Sequence, residues 1–126
     1  NGTAAGIPEY VVKKSDMVRE IHRESFRKAL AAGVRIAMGT DSGAPFTFHG
    51  RSADEVALMV RAGMEPMAAL LAATRDAAEL LDLASETGTI EAGKSADLLL
   101  LERDPLADIA SLGSPLKVMA RGAWVS

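Results

Sequence analysis

The residue best placed to do chemistry is Asp41, in the run Gly39-Thr40-Asp41-Ser42-Gly43. It follows Val34 to Met38, an apolar segment that is β-branched at Val34 and Ile36 and bounded by Gly39. That pattern predicts a short buried strand. In α/β proteins the carboxyl ends of strands are where loops gather around ligands, so a carboxylate there is held rigidly yet faces substrate. Glycines on either side let the backbone turn sharply and approach a ligand closely. The same aspartate would also suit an Asx-type turn cap. Both readings are open on spacing alone.

Three other readings of the pentapeptide are weaker. Ser42 is not in a Gly-x-Ser-x-Gly elbow, because the preceding glycine, Gly39, lies three positions before it. Asp41-Ser42-Gly43 resembles the triplet of aspartic proteases, in which two carboxylates share a proton across a dimer, but those proteases are mostly β and this triplet lies between helices. A phosphate cradle would need a lysine at P-loop spacing, and none follows.

His49 lies eight residues beyond Asp41 on the same glycine-containing loop, residues 39–51. It is a candidate substrate contact, with a metal ligand or a partner to one as the other functional readings. A solvated loop histidine is the structural alternative. His22 falls within an apolar helical stripe and is expected to be a half-buried helix histidine. Two distant histidines, no cysteine and no His-Glu-x-x-His pattern cannot complete a zinc site.

The elements around these residues follow from periodicity and punctuation. Residues 1–14 are short and mixed, with an extended stretch expected at Glu9 to Val12. Ser15 is the expected cap of a helix to about Ala32 that Gly33 terminates, with Val18, Ile21, Phe26 and Ala29 as its apolar stripe. Ser52 and Glu55 form a capping box opening a helix with Val56, Met59 and Val60 on one face, and Gly63 ends it. Pro66 opens a helix to Ala73, and another is expected from Arg75 to Leu83. Brief strands are then expected at residues 87–90 and 96–102 around a tight turn, Glu91 to Lys94. Asp104-Pro105 breaks the second of them. A hairpin pivots on Arg121-Gly122. Methionines fall at positions that packing explains.

Composition excludes several classes. Of 126 residues, 48% are hydrophobic and 25% charged, as in an ordinary globular protein. Fourteen basic against seventeen acidic residues give −3, with no cationic stripe, so no nucleic-acid partner is expected. No apolar run approaches the ~20 residues that cross a bilayer, so no membrane partner is expected either. The absence of cysteine fits a reducing, cytoplasmic setting.

Several motifs in order carry a resemblance. Ala32-Gly33-Val34-Arg35-Ile36-Ala37-Met38-Gly39-Thr40-Asp41-Ser42-Gly43 resembles the last barrel strand of the amidohydrolase superfamily, especially imidazolonepropionase-like and Xaa-Pro dipeptidase-like members. Ala72-Ala73-Thr74-Arg75-Asp76-Ala77-Ala78 resembles that family's Ala-Thr-x-Asn-Ala-Ala helix, with Asp76 where asparagine is usual. Gly88-Thr89-Ile90-Glu91-Ala92-Gly93-Lys94-Ser95-Ala96-Asp97-Leu98 resembles its return into a second domain. Asp104-Pro105-Leu106, Arg121-Gly122 and the stretch from Gly6 to Phe26 fit as well.

The resemblance implies an α/β fold: the C-terminal part of a (β/α)8 TIM-like barrel over residues 1–83, then strands of a small composite β-sandwich over residues 84–126. It implies a metal-dependent hydrolase of amide or peptide C–N bonds acting on a dipeptide or acyl-amino compound, with one or two divalent ions, usually zinc. Asp41 then corresponds to the metal-binding aspartate that shuttles the proton. The family's His-x-His pair is missing and neither histidine matches a ligand position, so the chain alone is expected to be inactive. Association with the remaining barrel, or with identical copies, is the expected way to cover its open edges. The alternatives are a non-catalytic self-associating fragment and an aspartic-protease-like dimer.

Overall fold

In the computed structural model, residues 8–43 and 48–125 are described. The Gly6-Ile7 part of the first motif and residues 44–47 of the loop lie outside them. The chain divides into two units, Asn1–Val34 and Arg35–Ser126.

The first unit is one long helix, α1, Glu9–Ala31. It starts before the expected Ser15 cap and absorbs the stretch expected to be extended. Pro8 stands at its N-cap with Glu9 in the first turn, and Glu9 pairs with Lys13 at 2.9 Å. Proline and an acid at a helix start suit its unpaired N–H groups and positive dipole end. Lys28 and Glu24 form an i,i+4 pair at 2.8 Å. The helix ends in a Schellman motif: Gly33, at φ +69°, donates to Leu30 O while Val34 N–H donates to Ala29 O. Val18 and Ile21 of the apolar stripe are exposed, as is His22, contrary to the half-buried histidine expected.

The second unit opens with the run Arg35 to Asp41. It carries no sheet ladder, so the strand expected at Val34–Met38 is not formed among the described residues. A strand needs a neighbour to exchange N–H···O bonds with, and the ladders present here all lie elsewhere. Three helices follow: α2 Ser52–Arg61, α3 Pro66–Ala73 and α4 Arg75–Leu80. The capping box does not form. Arg51 takes the N-cap with no side-chain cap bond and pairs with Asp54 at 2.6 Å instead. Gly63 closes α2 in a second Schellman motif, with Met64 N–H donating to Met59 O. Pro66 stands in the first turn of α3 as expected.

α4 stops at Leu80, short of the expected Leu83. Asp82 adopts φ 58°, and Leu83 N–H reaches back to Ala78 O at 2.8 Å. This is a third Schellman closure, built on an aspartate because Asp tolerates the left-handed region better than most residues.

The core is made of small and flexible side chains: Val56, Met59, Met64, Ala69, Ala72 and Ala78. Of the methionines expected to pack, Met59 and Met64 are buried while Met17 and Met67 are exposed. α2 packs on α3 and on a 3-10 turn, Ile109–Gly113.

The remaining regular structure is an antiparallel meander, β1 Leu98–Leu100, β2 Lys117–Ala120 and β3 Ala123–Trp124, with Leu98 opposite Met119 and Met119 opposite Trp124. The Arg121-Gly122 hairpin is present. The strand expected at residues 87–90 is a series of bends, and the one expected at 96–102 shortens to β1. Gly88 accounts for the first of these. At φ +95° it passes so close to α4 that an added Cβ would stand 2.6 Å from Ala78 Cβ, which leaves no room for a pleated strand with side chains on both faces.

Candidate functional site

The run that ends at Asp41 is held by the helices beside it. The last carbonyls of a helix lack intrahelical partners. At the end of α3, Leu70 O accepts from Thr74 Oγ1 at 2.7 Å and Leu71 O from Thr74 N–H at 3.2 Å. Ala72 O accepts from Met38 N–H at 2.8 Å. A helix-end carbonyl therefore fixes the backbone three residues before Asp41. Ala69 and Ala72 are fully buried, and the small size of alanine permits so close an approach.

Arg35 supplies the second tether. Its guanidinium bonds the Glu79 carboxylate and stands 3.5 Å from Asp76. Asp76 is also bound by Arg75 Nε at 2.8 Å. Glu79, and after it Asp76, hold Arg35 even more firmly protonated than an ordinary arginine. Asp76, standing where an asparagine is usual, thus has a charge balanced by two arginines. The sequence reading missed the partnership of Arg35 with Asp76 and Glu79. Its signal was present as acids three residues apart on one helix face, opposite a lone arginine in an apolar run. Arg51 and Arg75 are engaged in ion pairs with Asp54 and Asp76.

Asp41 itself is exposed at the end of this tethered run. The hydroxyls on either side of it, Thr40 Oγ1 and Ser42 Oγ, bond to each other at 2.8 Å. Gly43 follows at φ +102°. His49 is exposed as well, and its ring returns to this turn: Nε2 lies 3.3 Å from the position a Gly43 Cβ would occupy. The structure therefore brings together Asp41-Ser42-Gly43 and His49, the two candidates singled out from the sequence. His22 lies in α1 and belongs to the other unit.

Chemically, the turn offers an exposed carboxylate able to take and return a proton, with an imidazole close by. Among the described residues no three His, Cys, Asp or Glu side chains gather into a group able to hold a metal ion. A catalytic zinc normally takes three protein ligands, so the described residues do not build a zinc centre. No helix among them is long and apolar enough to cross a membrane.

The model of the amidohydrolase family matches residues 2–125. An ochratoxinase from Aspergillus niger is 37% identical over 107 residues, 83% of this chain and 22% of that protein. An imidazolonepropionase from Rhizobium meliloti is 41% identical over 81 residues, 62% of this chain and 19% of that protein. Among solved structures, a Xaa-Pro dipeptidase with methionine bound in its active site superposes with a TM-score of 0.85 at 38% identity, covering 95% of this chain and 29% of that one. The chain thus spans under a third of each of these proteins.

Proposed function

This chain belongs to the amidohydrolase family, and we propose that the whole enzyme hydrolyses a carbon–nitrogen bond in a dipeptide or acyl-amino compound, with Asp41 as its proton-handling carboxylate. The observation that carries the reading is the placement of Asp41: exposed, at the end of a run fixed by Met38 N–H on Ala72 O and by Arg35 on α4. The names of the relatives support hydrolysis as the reaction class. The likeness to a Xaa-Pro dipeptidase supports a peptide-like substrate.

In this reading residues 1–83 form part of a (β/α)8 barrel and residues 84–126 contribute strands to a small β-sandwich. Water adds its oxygen to the amide carbonyl carbon while Asp41 accepts its proton. The C–N bond then breaks as that proton passes from Asp41 to the departing amine. His49 belongs to the same site. Zinc is proposed for the whole enzyme on the family resemblance alone. Asp41 would give it one ligand, and the others must come from outside the described residues.

The test is hydrolysis of a dipeptide and N-acyl-amino acid panel by the whole enzyme, with and without a metal chelator. Chelation and Asp41→Asn should each lower kcat by about 10²-fold or more, with the circular dichroism of the variant unchanged. The 126-residue chain alone should give no turnover. An Asp41→Asn enzyme with full activity ends the reading.

A further inference from the structure

Resting on the reading of Asp41 just given, we propose that His49 is a positioning residue for it, acting through Gly43. The contact is specific. In the space where any other residue at position 43 would carry its side chain, the nearest atoms among the described residues beyond its chain neighbours are His49 Nε2 at 3.3 Å and Cε1 at 3.9 Å. The imidazole edge borders the place of the missing Cβ, close enough that a side chain there would press on the ring. Position 43 is thus glycine for two independent reasons. Its φ of +102° is one that residues with a side chain rarely adopt, and its vacant side is crowded by the ring.

The consequence falls on Asp41. Upstream, the Asp41 backbone is fixed by Met38 N–H on Ala72 O at 2.8 Å. Immediately around it, Thr40 and Ser42 close a hydroxyl bond of 2.8 Å. Downstream, the turn would swing about Gly43, the residue with the widest backbone freedom. His49 rests on that pivot and is itself anchored at the start of α2, where Arg51 N–H donates to Phe48 O and Asp54 N–H to Arg51 O. The ring therefore couples the Asp41 turn to a helix. Displacing a reacting carboxylate by about 1 Å is enough to cost on the order of 10²-fold in rate, so the effect belongs in kcat.

The experiment has two arms. In the first, the chain is labelled and the nuclear Overhauser effect between the His49 ring protons and the Gly43 α-protons is measured; this arm needs no activity. In the second, His49→Ala, His49→Gln, Gly43→Ala and the double variant Gly43→Ala/His49→Ala are assayed in the whole enzyme on the amide substrate that the wild type turns over. The effect should be present. His49→Ala should lower kcat about tenfold or more with KM changed less than about twofold, and His49→Gln, which restores a flat polar edge, should recover part of the loss. Gly43→Ala should cost less in the His49→Ala background than in the wild type, because the tight contact with the ring has gone and only the backbone strain remains.

A missing ring-to-glycine effect overturns the proposal whatever the kinetics. So does a His49→Ala enzyme whose loss lies in KM alone, which makes the histidine a direct substrate contact only. Equal costs of Gly43→Ala in both backgrounds overturn it too. Failure of the underlying reading looks different: no amide substrate is then turned over by the wild type, although the ring still sits on Gly43.

Discussion

Two turns among the described residues, Ser95-Ala96-Asp97 and Thr40-Asp41-Ser42, set an aspartate beside hydroxyl side chains and are shaped by different hydrogen bonds. At Ser95-Ala96-Asp97 the carboxylate is committed to the fold. Oδ1 accepts at 2.7 Å from Arg121 N–H in the hairpin turn, and Oδ2 accepts from Ser95 Oγ at 2.8 Å. At Thr40-Asp41-Ser42 the two hydroxyls bond to each other, and the segment is held by Met38 and Arg35 upstream. One aspartate closes a sheet, and the other is presented by a backbone fixed through different residues. The difference shows why residue type and neighbours alone do not identify a reactive carboxylate. What separates the two is where the hydrogen bonds that shape each turn come from.

The sharpest way to break the comparison is to remove each carboxylate. Asp41→Ala should reduce kcat of the whole enzyme by about 10²- to 10⁴-fold. Asp97→Ala should lower the melting temperature, because Arg121 N–H loses its partner, and leave the rate per folded molecule intact. Steady-state kinetics and differential scanning calorimetry on both variants give the four values. Unfolding by Asp41→Ala and rate loss by Asp97→Ala would invert the assignment.

Next in size is the glycine that locks the sheet-side segment onto α4. A Gly88 Cβ would stand 2.6 Å from Ala78 Cβ and 3.1 Å from Thr74 O, at φ +95°. Gly88→Ala should therefore destabilise by about 3–4 kcal/mol, from overpacking added to backbone strain. Gly93 has nearly the same φ, +93°, and nothing within 4 Å, so Gly93→Ala should cost only about 1–2 kcal/mol of strain. Urea denaturation of the pair separates crowding from conformation, and equal losses would show that contact with α4 contributes nothing.

A pH titration of stability probes the Asp97 turn. The Arg121 N–H, and after it the Ser95 hydroxyl, hold the Asp97 carboxyl below its ordinary value of 3.8. For a depressed carboxyl, the stabilisation is fully present above the unfolded-state pKa and is lost as pH falls through the folded-state value. Glu91 is depressed as well, by the Thr89 hydroxyl and then by Lys94, and contributes in the same acidic window. Asp97→Asn should accordingly flatten part of the decline in melting temperature below about pH 4, leaving the share of Glu91. An unchanged acid limb would mean that the two bonds to Asp97 contribute no stability.

How much of this was legible beforehand depends on where each hydrogen bond ends. Local signals were read correctly at Gly33, Gly63 and Pro66, because a helix stop or start is written in the residue that makes it. Asp41 was picked out by its place after an expected strand and His49 by sharing its loop, and the structure does set His49 beside the Asp41 turn. Signals that compete with a neighbour were misread. Ser15 looked like a cap, but Pro8 and Glu9 open the helix earlier. Ser52 and Glu55 looked like a capping box, but Arg51 reaches Asp54. Long-range terms were invisible: nothing local at Met38 announces Ala72 O, and the approach of Gly88 to Ala78 exists only after α4 is placed. The strand expected at residues 34–38 has the right composition, yet composition cannot supply the neighbour that a ladder requires.

The smallest effect tests whether the hairpin is held by its charges or by its carboxylate. Lys117 Nζ lies 5.4 Å from the centroid of the Trp124 ring, within range for a cation–π contact between β2 and β3. At an exposed site such a contact is worth about 0.5–1 kcal/mol. Lys117→Met keeps most of the aliphatic stem that covers the indole and removes only the charge, so its loss should fall at the lower end of that range, well below that of Asp97→Ala. The contact is electrostatic, so the wild-type advantage over Lys117→Met should shrink as salt is raised. Chemical denaturation of both proteins at low and high ionic strength measures this directly. A loss as large as that of Asp97→Ala would move the closure of the sheet from the Arg121 N–H bond to the indole, and the contrast between the two aspartates would then rest on Asp41 alone.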